Sequence, residues 1–285
     1  RRHAGGVELV DLVLHQRDER RHHDGHAAAR DRGELVAERL AGACGHDDER
    51  VAVIHDVLDD LRLTAAEPGM AEAIAQQALT TAAASGNRFT LGIGLSHQLV
   101  IENMFGLSYA HPARHMREYL SVLMPLARGE TANFSGEEYR VANVALDVPG
   151  AARLPVVVAA LGPAMLRIAG ELADGTNTWM VGPRTMESHI VKRIREAAAG
   201  AGRPDPSIVG GFPIILTNKP DAARAQIAQQ LTIYGQLPSY RAMLDREGAA
   251  GPADIAIAGD ENLLRGELRR LEEIGVTHFN AAIAA

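Results

Sequence analysis

RFTLGIGLSHQ, residues 88–98, is the stretch on which the fold turns. It opens as an apolar strand through Phe89, Leu91 and Ile93, stops on Gly92 and Gly94, and then presents Ser96, His97 and Gln98 in a row. A buried strand that ends in glycine and hands over to polar side chains suits the mouth of a parallel α/β fold, where ligands sit beyond the carboxyl ends of the strands. Gly94 lets the backbone approach a ligand closely, or simply makes a tight turn; the dipeptide spacing alone allows both.

Downstream, units of the same kind repeat. PVVVAAL (155–161) is a continuous apolar run of the sort buried in a parallel sheet. Gly162-Pro163 opens a helix to residue 173 with Met165, Ala169 and Leu172 inward, and Asp174-Gly175 turns into a strand through Met180. A helix to residue 199, a strand at 208–217, a helix at 221–234, an extra helix at 237–247, a helix capped by Asp260 and a last strand at 276–283 complete the series. Before them stand a helix at 71–84, a helix from Pro112 with Met116, Tyr119, Leu120, Leu123 and Ala127 on one face, and a hairpin at 133–141 around Ser135-Gly136. Counted from Arg88, five strands alternate with helices, which implies a parallel sheet: the later part of a (β/α)8 barrel, or an open doubly wound sheet.

Composition narrows the class. The 285 residues are 46% hydrophobic, enough for a sizeable core, and the net charge of -7 argues against a nucleic-acid surface. A single cysteine, Cys44, excludes an internal disulfide framework and fits a reducing compartment, so a cytoplasmic location is expected. No run approaches the ~20 apolar residues of a membrane span. RRHAGGVELV has no long apolar stretch, so no signal peptide is expected, and the absence of an initial methionine suggests a fragment or a processed form.

Residues 1–70 differ from the remainder. They contain seven of the twelve histidines, ten arginines and fifteen acidic residues, but no aromatic, and no Lys, Asn or Ser. A strand at 7–14, a helix at 34–43 and a strand at 51–58 are the coarse expectation. His22, His23 and His26 read either as a metal site or as a solvated polar run; no second ligand cluster has recognisable spacing, and no metal is expected. The Arg, His, Asp, Ala, Gly and Val bias also resembles GC-rich DNA read in the wrong frame. The expected division is therefore an atypical segment 1–70 and a β/α portion 71–285.

The candidate chemistry lies at strand ends. Ala160, Leu161 and Gly162 join a strand to a helix start, where free N–H groups and the positive helix end suit a phosphate; an ordinary turn looks the same in sequence. Pro163 has no N–H, so Ala160–Gly162 and Ala164 are the donors. His97 is either a proton carrier near neutral pH or a loop cap. Thr178, Trp179 and Met180 end a strand and would line a pocket, although a lone Trp is commonly core. Asp174 reads as a turn-former, and Arg117 as part of a solvated face. His111 and Arg114, near a helix start, read either as part of the same solvated face or as groups that reach an anionic tail.

Four blocks, AQQALTTAAASGNRFTLGIGLSHQ (75–98), PARHMREYLSVL (112–123), PVVVAALGPAMLRIAGELADG (155–175) and YGQLPSYRAMLDREGAAG (234–251), resemble the luciferase-like monooxygenase superfamily, most closely its coenzyme F420-dependent oxidoreductases. The resemblance begins near Ala71. It implies a (β/α)8 TIM barrel, incomplete or atypical over its first units, with a deazaflavin or flavin at the C-terminal mouth. It also implies hydride transfer between coenzyme F420 and a small organic substrate. An FMN-dependent monooxygenase and a non-catalytic, degenerate family member are the alternatives. Carried onto this sequence, it makes His97 the proton donor or acceptor, at a turn where related deazaflavin enzymes have Gly-Glu. Gly94, Ser96, Gln98, Ala160, Leu161, Gly162, Thr178 and Trp179 become the cofactor contacts, with Gln98 on the ring edge. The expected partners are a small-molecule substrate and, in an assembly left open, a second copy in a homodimer; neither nucleic acid nor membrane is expected.

Overall fold

The computed structural model describes residues 69–283. The elements expected at 7–14, 34–43 and 51–58, and the histidines at 22, 23 and 26, lie outside the described residues. The chain divides into two compact units, one holding residues 69–91 and Val122–Pro155, the other Gly92–Ser121 and the chain from Val156 onward.

In the first unit, helix α1 (Met70–Ala84) buries Met70, Ala71, Ala75, Ala78, Leu79 and Ala82, a 3–4 spaced stripe of mostly small residues. Asn87, in a left-handed conformation (φ 61°), ends the turn after α1. Its amide donates to the Gly150 carbonyl at 3.1 Å and its Oδ1 accepts from the Ala152 N–H at 2.8 Å. Strands β2 (Ala132–Ser135) and β3 (Arg140–Val144) make the expected hairpin, closed by Gly136 N–H donating to the Tyr139 carbonyl.

The principal sheet has six strands. Strand β1 (Leu91–Ile93) lies beside β4 (Val156–Ala159), then come β5 (Gly175–Trp179) and β6 (Ser207–Leu216). Strands β7 (Ile257–Gly259) and β8 (His278–Ile283) both pair with β6. All the registered pairs among β4–β8 are parallel. Val209 of β6 pairs with Asn177 and with His278, so β5 and β8 occupy opposite edges of β6. Ile214 pairs with Ile257 and with Ile283, which puts β7 on the β5 edge, further along the strand. The fold is thus α/β with a parallel sheet, as the alternation of elements predicts. The three-residue β7 is an addition to the five expected strands.

Helices follow the strands. After β1 comes a short helix α2 (Gln98–Asn103), unexpected from the sequence because none of its six residues is buried and no apolar stripe marks it. Helix α3 (Pro112–Ala127) buries Met116, Leu120, Leu123 and Ala127 of the expected face, leaves Tyr119 half-buried, and also buries Val122, Met124 and Leu126. Helix α4 (Pro163–Leu172) follows β4, and its buried residues are Leu166, Ile168, Ala169 and Gly170, not the Met165 and Leu172 expected. After β5 a single helical run comprises α5 (Pro183–Thr185), a π-helical segment (Met186–Val191) and α6 (Lys192–Gly200). Gly170 explains the tight crossing of α4 and α6: a Cβ there would stand 2.6 Å from the Ile194 carbonyl oxygen. Helix α7 (Pro220–Gln230), a 3-10 turn (Thr232–Gly235), α8 (Pro238–Glu247), a second 3-10 turn (Pro252–Ile255) and α9 (Glu261–Glu273) complete the unit.

Candidate active site

Two local contacts set the mouth. The Leu91 N–H donates to the Pro155 carbonyl, and a Cβ on Gly94 would come within 2.9 Å of the Ala159 Cβ. Gly94 is therefore glycine because β4 passes close by, a packing requirement that stands beside any ligand contact. Because β1 and β4 run alongside in the same sense, the turns after both leave the sheet at its carboxyl end. Ala159 pairs with Asn177, so the end of β5 is there too.

Beyond β1 the backbone is strained. Ser96 is left-handed (φ 55°), a conformation that costs a non-glycine residue of order 1 kcal/mol and concentrates at functional sites. The turn is held by Tyr109, whose hydroxyl donates to the Ser96 carbonyl at 3.3 Å. His97 follows as the N-cap of α2 and is half-buried, its ring 5.3 Å from that of Tyr240. Tyr240 meets Tyr234 edge-on at 5.2 Å, and Tyr234 meets Trp179 edge-on at 6.2 Å. Four rings thus run from the end of β1 to the end of β5. Burial lowers the His97 pKa below its ordinary 6.5, so the imidazole is neutral at pH 7. Burial, with the Tyr234 phenol beside it, pushes Tyr240 up to about 12.

These rings are anchored from below. Met180 is fully buried with Leu244 and Ile255, and Trp179, Leu231, Tyr234, Tyr240 and Ala249 pack on that cluster. Met180, expected on the pocket wall, is core, and its left-handed backbone (φ 60°) makes the turn out of β5. The next turn is closed by Glu247, at the end of α8. Its carboxylate accepts from the N–H groups of Arg184 (3.1 Å) and Thr185 (2.7 Å), and Gly182 leaves it room. That carboxylate, 62 residues from Thr185 in sequence, ties the α8 helix and its Tyr240 to the end of β5.

The faces of β5 sort its residues. Thr176 and Thr178 are buried; the Thr178 hydroxyl donates to the Val209 carbonyl at 3.0 Å and lies beside the Met186 sulfur. Thr178 was expected on the pocket wall; strand alternation puts it instead on the side that packs on the helical run. Asn177 and Trp179 occupy the opposite face. Asn177 Oδ1 and Trp179 Nε1 are buried, and neither has a hydrogen-bond partner among the described residues. The indole lies over Gly211, where a Cβ would be 2.9 Å from its Cε3 atom. Asn177 went unnoticed in the sequence; its place two residues before Trp179 on a strand was the available signal. Gln98 is exposed and donates to Glu102 at 3.0 Å along its own helix, so its amide is engaged away from the expected ring edge.

The β4–α4 turn is arranged differently from its neighbours. Ala160 is buried; Leu161 and Gly162 are half-buried. Gly162 is the N-cap of α4, no side chain caps that helix, and Pro163 occupies its first turn. At the β5 turn Glu247 fills the corresponding position, and after β7 the Asp260 carboxylate accepts from Leu263 N–H at 2.9 Å. The Gly162 N–H has no partner among the described residues, and a Cβ there would meet nothing within 4 Å. A phosphate fits this turn: N–H groups are free, the helix end is positive, and no carboxylate competes. A shallow groove of about 770 Å³ between α4 and α6 opens at Pro163 and Ala164, with Arg167, Glu171, Arg193 and Glu196 on its walls, so its charge is mixed.

Behind the turn sits His189, which the sequence reading missed. It is buried, its Nε2 lies 2.8 Å from the Leu161 carbonyl, and its Nδ1 accepts from Arg193 Nε at 3.1 Å. Asp174 is a turn-former, as expected: its carboxylate accepts from the Val156 N–H at 3.0 Å and pairs with Arg203 at 3.1 Å. Arg117, read as a solvated face, forms an ion pair with Glu171.

Residues 71–278 match the luciferase-like monooxygenase family, and the chain belongs to it. Among its relatives, the chain is 31% identical over 189 residues to the 5,10-methylenetetrahydromethanopterin reductase of Methanolobus tindarius, a match covering 64% of this chain and 57% of that one. The chain spans just over half the length of the curated relatives it matches. Two solved structures share the fold. The coenzyme F420-dependent tetrahydromethanopterin reductase of Methanopyrus kandleri superposes with a TM-score of 0.64 at 19% identity, over 88% of this chain and 90% of that one. The oxygenating constituent of 3,6-diketocamphane monooxygenase of Pseudomonas putida, in complex with FMN, does so with 0.60 at 14% identity, over 90% and 87%. Among the described residues, no helix is long and apolar enough to cross a membrane.

Proposed function

We propose that the protein is a coenzyme F420-dependent oxidoreductase that moves a hydride between the deazaflavin and a small organic substrate. The observation that carries this reading is the β4–α4 turn: alone among the three turns compared, it offers free N–H groups at a helix start with no carboxylate in place. Gly162 and Ala164 N–H groups hold the cofactor phosphate. Trp179, Tyr234 and Tyr240 supply an apolar wall that excludes water from the ring and substrate. When bound, the deazaflavin supplies the hydride chemistry. His97, neutral at pH 7, accepts a proton from, or returns one to, the substrate heteroatom beside it. Tyr240 packs on the imidazole and maintains its desolvation. Asn177 and Trp179 present one acceptor and one donor to the polar edge of a bound ring.

FMN is the second reading, since a structural neighbour is an FMN complex, and a flavin phosphate suits the same turn. Fluorescence titration with F420 and, separately, with FMN tests the proposal. F420 binding at micromolar concentration or below supports it. FMN binding with no F420 binding replaces the cofactor, and binding of neither would favour a non-catalytic family member.

A further inference from the structure

Gly162 N–H and the Leu161 carbonyl belong to one peptide unit. A trans peptide is planar, so its C=O and N–H point in opposite directions. Whatever grips the Leu161 carbonyl therefore also aims the Gly162 N–H. His189 is that grip, with Nε2 2.8 Å from the oxygen. Its tautomer is determined by its other neighbour: Arg193 Nε is only a donor, so Nδ1 must accept and the proton must sit on Nε2. The ring is buried, and it sits within the π-helical segment Met186–Val191. Such segments insert a residue into the helical register and recur at functional sites. Here the segment carries the imidazole that meets the Leu161 carbonyl of the β4–α4 turn. A hydrogen bond donated to the carbonyl also polarises the peptide and strengthens its N–H as a donor.

We propose that His189 is a positioning residue for anion binding: through the Leu161 carbonyl it directs the Gly162 N–H toward the phosphate of the cofactor. The proposal rests on the functional reading above. It adds to it a residue that touches neither cofactor nor substrate.

The test compares wild type, His189→Leu and His189→Gln by titration with inorganic phosphate, FMN and F420. The Gly162 amide is followed by ¹H–¹⁵N NMR, and folding by thermal melts. Glutamine can donate to Leu161 and accept from Arg193; leucine can do neither. The expected result is that phosphate shifts the Gly162 amide in wild type. The leucine variant should then lose about tenfold or more in affinity for phosphate and cofactor, and glutamine should stay within about threefold of wild type. A role confined to fold stability would lower the melting temperature without this split between the two variants. His189→Met, which also lacks the donor, takes the place of leucine if that variant does not fold. Wild-type affinity in the donor-less variant, or an equal loss in glutamine, overturns the positioning role and leaves the cofactor assignment standing. Cofactor binding that leaves the Gly162 amide unmoved overturns it as well. Failure of wild type to bind any of the three ligands overturns both readings.

Discussion

Replacing Gly162 with proline isolates a single N–H. The backbone there has φ -78° and ψ 157°, inside the range that a proline ring imposes, and the Cβ position is open. The Gly162 N–H donates to no group among the described residues, so its loss breaks no hydrogen bond among them. Gly162→Pro should therefore melt within about 2 °C of wild type, since the change removes nothing that holds the fold. Bound phosphate would lose one charge-assisted hydrogen bond, worth about 1.5–3 kcal/mol, which is about 10- to 150-fold in Kd. Gly162→Ala is the matched control: it keeps the N–H, adds a methyl group to open space, and should bind within about twofold of wild type. The assay is fluorescence titration with F420 and FMN at fixed ionic strength. Wild-type affinity in the proline variant would refute the N–H as a donor, and an equal loss in alanine would refute the backbone mechanism in favour of simple crowding.

Other outcomes follow from the same geometry. Glu247→Ala strips the carboxylate from two N–H groups at the start of α5 and should cost about 1–2 kcal/mol, read as a fall of several degrees in melting temperature. Because Glu247 anchors α8, the same variant should also weaken the Tyr240–His97 contact, seen as a His97 titration midpoint moving back toward 6.5 by NMR. Burial lowers both His97 and His189, so the unfolded chain binds protons that the folded chain refuses. Their contribution to stability is fully present above pH 6.5 and is lost as pH falls through the lower folded values. Denaturant midpoints should accordingly drop between pH 7 and pH 5, and His97→Gln should flatten part of that slope. Gly175→Ala would place a Cβ 2.1 Å from the Ser207 carbonyl oxygen across the β5–β6 pair; expression with a loss of cooperative unfolding is expected, and a wild-type melt would contradict this register.

The alternation of strands and helices from residue 88 onward was legible in the amino-acid sequence, because periods of 2 and 3.6 are local properties of the chain. Asp260 as a cap, Gly162-Pro163 as a helix start and Asp174-Gly175 as a turn were legible for the same reason: each acts on a backbone a few residues away. The candidate site was only partly so. His97, Gly162 and Trp179 stand at strand ends, which sequence order reveals. The inward face of β5 depends on where the helical run packs, and this put Thr178 behind the sheet and Asn177 with Trp179 on the other face. Strand β7 is three residues long and carries too little pattern to announce itself. Glu247 reaches Thr185 across 62 residues, and His189 reaches Leu161 across 28 from within a π-helical segment. Contacts of that kind arise only when distant segments are packed together, and no local preference encodes them. The sequence by itself determined the longer elements and their order; the tertiary structure decided the short ones, α2 and β7, and which side chains meet, because burial and hydrogen-bond pairing are settled between segments, not within them.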